Sequence, residues 1–436
     1  MKNYKFIVPV ALLALLAVSW YMLISGATET KNTYDYYLEE ARGYAEVSIT
    51  QYAIQNYLKA IEVNNNPDVY VEVAEYYKTH DSREHIDWCE DFLDAFPTDA
   101  RAYNCMLEAY LLDEDYEACF DIIETARRRQ VSSEYIDKIN NDLKYVYGFE
   151  FGSFDDVSSY GNNYCAVLED DRWGFVDRYG ALRIGHSYVE VGAFSSANCA
   201  PVVNSKGEVY FVDKAGLRVK ATKDKYLKFG MLVSDVMTAQ KEDGKYTYLN
   251  GSFEVLFGNY DYASTMNYGI AAVKNADKWS LINYEGKKVG DKEYLDIVLD
   301  EKEIAFRSDR VFVSSSDGKY IMLDGKAKQV GKLVFEEAMT FLSDAPTAVK
   351  VDGKWCFVGT DGKLISDKKY DGARPFLNGL AAVCIDGKWG FVDEKENVVI
   401  EPQFDGAKDF TEKGSCFIKI EDDWKLLKIY RLNRES

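Results

Sequence analysis

Asp386-Gly387-Lys388-Trp389-Gly390-Phe391-Val392-Asp393, set against Asp352-Gly353-Lys354-Trp355-Cys356-Phe357-Val358, enters the same apolar strand through the same turn. An Asp-Gly pair suits a two-residue hairpin turn, which needs positive φ, and Asp243-Gly244 and Asp317-Gly318 fill the same place. The slot held by Trp389 recurs at Trp173, Val209, Tyr246, Trp279, Tyr320, Trp355 and Trp424, giving eight units spaced 33 to 41 residues apart. A short apolar run precedes each slot, as in Tyr164-Cys165-Ala166-Val167, Ile270-Ala271-Ala272-Val273 and Leu380-Ala381-Ala382-Val383. After most slots comes an aromatic residue with an acid: Tyr260-Asp261, Tyr370-Asp371, Phe404-Asp405, with Phe154-Asp155 opening the array. A second turn carries Gly180, Gly216, Gly251, Gly286 or Gly362, entered by Asp177, Asp213, Asn250, Asn283, Asp324 or Asp393, side chains that bond nearby backbone. Each unit is therefore predicted to be a hairpin plus a returning strand.

A unit of this size cannot bury both faces alone, so consecutive units must stack or close on one another. A large aromatic at a fixed register supplies buried surface, and we read Trp173, Trp279, Trp355, Trp389 and Trp424 as packing rather than as ligand platforms. Gly174 and Gly390, beside two of them, are expected to admit a close neighbour. A propeller-like ring would hide the sheet edges, whereas an open β-solenoid would leave edges to be capped, and the spacing is compatible with both. If the ring closes, Cys165 and Cys416, each eight residues before its slot, fall in adjacent units.

These residues resemble the WG-repeat family, also called KWG repeats, whose pattern runs Lys-Trp-Gly-aromatic-aliphatic-Asp, then Gly, then an aliphatic-Pro strand and a Tyr-Asp pair. The resemblance covers residues 154 to 436 and is closest at Trp173-Gly174 and at Trp389-Gly390, with Ile400-Glu401-Pro402 before Phe404-Asp405. In the second, third and fifth units both Trp and Gly are replaced. The resemblance implies a β-rich repeat module, frequent in bacteria, that serves interaction, and it transfers no catalytic residue.

Upstream, a different period of 33 residues aligns Tyr37, Tyr70 and Tyr103. In that register fall Ala41, Ala74 and Leu107, then Tyr44, Tyr77 and Tyr110, then Ala53, Ile86 and Cys119, and lastly Ala60, Leu93 and Ala126. Small residues where antiparallel helices touch, with aromatics beside them, are what a helix pair needs to stack on its neighbour. The stretch resembles tetratricopeptide repeats in degenerate form, with Pro97 where that family ends a repeat and Tyr in place of its Trp. Ser132 to Tyr145, with Ile136, Ile139 and Leu143 at helical spacing, is expected to cap the stack. The resemblance implies a peptide groove at Glu75, Asn104 and Glu108, whose acids would favour a basic peptide; the alternative is a solvated charged face on a spacer. His80 and His85 are placed in an interhelix turn, and Arg127 to Arg129 at a helix end, where cations complement the dipole.

The first residues are Met-Lys-Asn-Tyr-Lys, and Phe6 to Ser25 follows as twenty residues without a charge, enough to cross roughly 30 Å of hydrocarbon. Lys2 and Lys5 precede it and an acidic stretch follows. This predicts a single-pass membrane protein with a cytoplasmic N-terminus and extracytoplasmic domains, or a secreted chain if Ser25-Gly26-Ala27 is a cleavage site. The organisation expected is an α + β multidomain protein: a transmembrane helix at 1–27, a short α-helical repeat stack at 28–148, and an all-β array of eight units at 149–436.

The net charge of -20 is concentrated in residues 28–150, with 27 acidic against 11 basic residues, so nucleic acid is not an expected partner. The eight cysteines form no CxxC pair and read as buried thiols, and with three histidines a His-based metal or catalytic site is not expected. The acids of the second turns are spread one per turn, unlike the clustered oxygen ligands of a calcium loop. No nucleophile motif or phosphate-binding Gly loop is present. Catalytic, cofactor and metal sites are therefore all assigned as none. The function expected is a membrane-anchored, non-enzymatic scaffold for an unidentified protein, with a cell-wall or extracellular glycan as the alternative ligand on account of 33 Tyr and 23 Phe.

Overall fold

A computed structural model describes Trp20 and residues 33–434 apart from 151 and 315–316. The chain divides into two compact units, Met1–Lys144 and Tyr145–Ser436.

The first unit is a stack of antiparallel helices: α1 (33–46), α2 (Thr50–Val63), α3 (Pro67–His80), α4 (Ser82–Ala95), α5 (Ala100–Leu112), α6 (Tyr116–Arg128) and α7 (Glu134–Asp142). Their starts are set by side-chain caps, since Asn66, Asp81, Asp99, Asp115 and Ser133 each accept a backbone N–H of the first turn. Ala41, Ala53, Ala60, Ala74, Leu107, Cys119 and Ala126 are buried, the small ones letting helix backbones approach while Tyr57, Tyr70, Tyr77 and Trp88 fill the spaces beside them. Ile136, Ile139 and Leu143 bury the inner face of α7. Asp81 ends α3 and caps α4 at once, so the turn there is a single residue and His85 lies inside α4, buried, rather than in the turn expected for it.

Within the described residues none of α1 to α7 runs beyond 14 residues, and a spanning helix needs about 20 apolar ones. The expected single-pass membrane localisation is therefore corrected: no helix among the described residues is long and apolar enough to cross a membrane. The stretch Phe6 to Ser25, on which that expectation rested, lies outside the described residues except for Trp20.

The second unit is a ring of eight repeat units in seven antiparallel sheets, units 1 and 2 being joined in one. A full unit has four strands, as in the seventh: Gly372–Ala373, Leu380–Ile385, Lys388–Asp393 and Val398–Phe404. In units 4, 5 and 6 the fourth strand is reduced to bridges, Trp279 to Tyr294, Tyr320 to Phe335 and Trp355 to Tyr370. Units 1 and 2 share the long strand Leu182–Val191, which pairs with Arg172–Asp177 on one side and Cys199–Asn204 on the other. The eighth unit takes its fourth strand from the start of the array: Tyr147–Phe149 pairs antiparallel with Asp423–Ile429, Tyr147 opposite Ile429 and Phe149 opposite Leu427. The β array thus begins ahead of residue 149 and closes on itself.

Packing closes the ring as well. Each unit shares one buried core with the next, for example Phe175 and Ile184 with Phe194 and Val202, or Phe391 and Phe404 with Phe410 and Cys416. A further core joins the last unit to the first through Phe417, Leu426, Val157, Cys165 and Val176. With the last unit completed by Tyr147–Phe149 and packed on the first, the array is a propeller-like ring, and the solenoid alternative is set aside.

The repeat signature has a physical reading in this fold. A Cβ built at Gly390 would stand 2.5 Å from the Ile400 carbonyl oxygen, and one at Gly174 2.6 Å from that of Ile184, so in these two units glycine leaves room for the fourth strand that bulges past the slot. Lys388, just before its Trp, pairs at 2.6 Å with Asp405, whose other oxygen accepts the Glu421 N–H at 2.8 Å in the next unit's hairpin turn. Lys354 with Asp371 and Lys245 with Asp261 repeat the arrangement, so this lysine and acid latch one unit to the next. Asp352-Gly353 and Asp386-Gly387 have positive φ at both positions, as a two-residue turn requires. At Asp243-Gly244 only the glycine does, because that loop is a residue longer. All eight cysteines are free thiols, Cys105 half-buried and the others buried. Cys165 and Cys416 donate to the carbonyls of Ser158 and Lys408, each at 3.0 Å.

Candidate functional site

Between the first strand and the hairpin of a unit runs a loop, and the fifth unit's, residues 298–309, is the longest. Asp300 shapes its tip by accepting the N–H groups of Lys302 and Ile304 at 2.8 and 2.9 Å, while Ala305 and Phe306 anchor its return in the core between units 4 and 5. The tip then reaches across the ring. Ser159 of unit 1, half a ring away, donates to Glu301 at 2.6 Å. Lys408 of unit 8 and Arg374 of unit 7 donate to the other Glu301 oxygen at 2.9 and 3.4 Å. Lys228 of unit 3 pairs with Glu303 at 2.9 Å, and Thr265 of unit 4 bonds the backbone of Lys302 and Glu303. One loop is tied to five other units, which places it at the ring's centre.

Two cavities meet at the tip of the loop. The larger, about 680 Å³, is walled by the first-strand loops of units 1, 5, 6, 7 and 8, including Tyr160, Leu299, Met339, Arg374, Asn378 and Phe410. The smaller, about 250 Å³, lies among units 1, 2 and 3 beside Glu190, Lys228 and Met231. Glu301 and Lys302 border both.

Charge here is mostly neutralised in place. Burial by itself would raise the Glu301 carboxyl, but the Lys408 and Arg374 charges and the hydrogen bonds from Ser159 and Lys408 outweigh it and hold the group at about 2. Its side chain is 37% exposed to water in the ring, yet protein surrounds it on several sides. Arg374 forks onto Asp409 through Nε and Nη2 at 2.9 and 2.8 Å, a bidentate pair with Asp409 only 8% exposed. Burial would lower the Arg374 guanidinium, and Asp409 and Glu301 raise it instead. Arg307 donates to Asp300 at 3.0 Å. Lys302 differs: burial lowers its ammonium from the ordinary value, the Arg307 charge adding to the effect. Among the described residues no group of three or more His, Cys, Asp or Glu side chains is arranged to hold a metal ion.

None of these charged residues was singled out in the sequence, and of the signature and groove residues that were, only Trp355 and Trp173 reach the cavities. Lys78 draws two of the three groove residues together, pairing with Glu108 at 2.5 Å and standing 3.7 Å from Glu75. Asn104 accepts from Ser133 at 2.8 Å. Glu75 remains exposed, while Asn104 and Glu108 are half-buried. Trp279 is buried, and Trp173, Trp355, Trp389 and Trp424 are half-buried, each packed against the core between two units. Trp355 also borders the larger cavity and Trp173 the smaller.

Three stretches, residues 246–279, 357–389 and 389–424, match the sequence pattern of the WG containing repeat. The comparison with curated proteins gives no match. Among solved structures, the ring is similar to BamB from Moraxella catarrhalis, at 12% identity over 65% of this chain and 100% of that one, with a TM-score of 0.43. It is similar also to the computationally designed Ika8 protein, at 12% identity, 64% and 97% coverage and a TM-score of 0.43. The WD40 β-propeller domain of Doa1 aligns at 12% identity over 57% of this chain and 95% of that domain, with a TM-score of 0.32. Closure of the ring rests on its own strand pairing and cores.

Proposed function

We propose that this protein is an interaction scaffold without catalytic activity, and that its ring binds a protein partner. The observation that carries this reading is where the repeat puts its apolar side chains. In three units the residue just past the second turn, paired at the same register with the slot strand, is aliphatic and exposed: Leu182, Val255 and Val398, at 43 to 64%. The Trp slot of the same units is turned into the packing. Single exposed aliphatics are ordinary, but one repeated at the same register in three units of the ring supplies apolar anchors set in a polar surround, which suits a protein partner. A sugar needs an exposed aromatic face, and one observation favours that second reading: Tyr268, on the first-strand loop of unit 4, is 79% exposed.

In the helical stack, support for a basic-peptide groove is reduced because Glu108 is already paired with Lys78 and Asn104 with Ser133. The spacer reading is the better supported there.

A photo-crosslinking residue placed at Leu182 or Val255 in the full chain, expressed in its source cells, tests the proposal. A discrete protein adduct, lost when the neighbouring rim position is changed to Asp, is the outcome expected. Absence of any adduct, together with sedimentation on purified cell-wall glycan that Tyr268→Ala abolishes, would replace the scaffold by a glycan binder.

A further inference from the structure

Four cations and three carboxylates meet where the loop tip enters the larger cavity. Asp300 is paired with Arg307, Asp409 with Arg374, and Glu301 with Lys408 and Arg374. Lys302 is left over. Its backbone is pinned by Asp300 and Thr265, yet its ammonium makes no hydrogen bond or ion pair among the described residues. Two further donors on this wall are unused: the buried Nε of Arg307 and the buried hydroxyl of Tyr160 have no partner. A cation inside protein that Asp300, Asp409 and Glu301 act on only through space, with no direct pair, is costly, and unpaired donors beside it add to that cost. The cavity is large enough for a ligand of modest size, and Leu299, Met339, Leu342 and Leu377 give it an apolar wall beside these donors.

We propose that the larger cavity binds a small organic anion, a carboxylate with an apolar body, whose charged end pairs with Lys302. Lys302 alone of the four cations has no direct carboxylate partner, and the ligand's carboxylate supplies one. The apolar wall selects the body, which an inorganic anion lacks. The ligand lies at the ring's centre, so its binding is independent of whether a protein docks on the rim.

Equilibrium dialysis of the full chain against octanoate, octanol and inorganic phosphate tests this without any variant. Octanoate binds saturably at one site, about tenfold or more tightly than octanol, because the charged pair is present only with the carboxylate. Inorganic phosphate does not displace it. Lys302→Met removes the preference for octanoate over octanol, and Lys302→Arg keeps it. No saturable octanoate binding overturns the proposal, as does octanol binding equally well or phosphate competing on equal terms. If Lys302→Met does not fold, the octanoate and octanol comparison on the unaltered chain still decides.

Discussion

Arg374 and Lys388 each pair with a carboxylate at similar distance, in surroundings that make the two pairs unequal. The Arg374 and Asp409 side chains are 17% and 8% exposed, whereas those of Lys388 and Asp405 are 50% and 37% exposed. Removing the cation from a buried pair strands a desolvated carboxylate, so Arg374→Met is expected to cost about 3 kcal/mol. Lys388→Ala, at a screened and solvated latch, should cost about 0.5 kcal/mol or less. Urea denaturation of the two variants makes the comparison. Glu301 adds a pH dependence. Its folded-state value of about 2 is below the ordinary 4.5, so its stabilising contribution is complete above 4.5 and is lost as pH falls from there towards 2. Stability measured down that acid range should fall less steeply in Glu301→Gln than in the unaltered chain.

At the scale of elements, loop 298–309 behaves as a plug rather than as a surface connection, because its return is buried. Phe306 is 4% exposed and sits in the core between units 4 and 5, and its carbonyl accepts the Asn267 side chain at 2.8 Å. Phe306→Ala is expected to cost about 3 kcal/mol or more, as a core truncation does, where a residue on a free loop would cost little. Thermal and urea unfolding of that variant check the difference. The hairpins were legible beforehand because turn chemistry is local: Asp-Gly pairs and the Asp, Asn and Gly of the second turns bond backbone within a few residues. The plug was not, since Glu301, Lys302 and Glu303 acquire their roles from Ser159, Lys228, Thr265, Arg374 and Lys408, residues remote in sequence. One signal was present: the widest spacing between slots, 41 residues from Trp279 to Tyr320, is the interval that contains this loop. The candidate cavity was hidden for the same reason, and the groove residues of the helical stack carry acids that turned out to be shared with Lys78.

For the whole molecule, the helical stack and the count of eight units could be read from periodicity, but the choice between ring and solenoid could not. Closure depends on Tyr147-Gly148-Phe149, three residues that precede the first repeat and carry none of its signature. Their place is set by the last unit, whose Leu427 and Ile429 need a fourth strand beside them. The expected membrane anchor failed differently: it was read from a stretch that, Trp20 apart, the structure does not describe, and no described helix takes its place. The most direct test of the ring is amide hydrogen exchange at Tyr147 to Phe149 in the full chain. Closure predicts protection of these amides comparable to that of the strand Asp423–Ile429, because both ends of the array would have to open together. Rapid exchange at Tyr147 to Phe149 beside a protected Asp423–Ile429 would contradict it and return the array to an open stack.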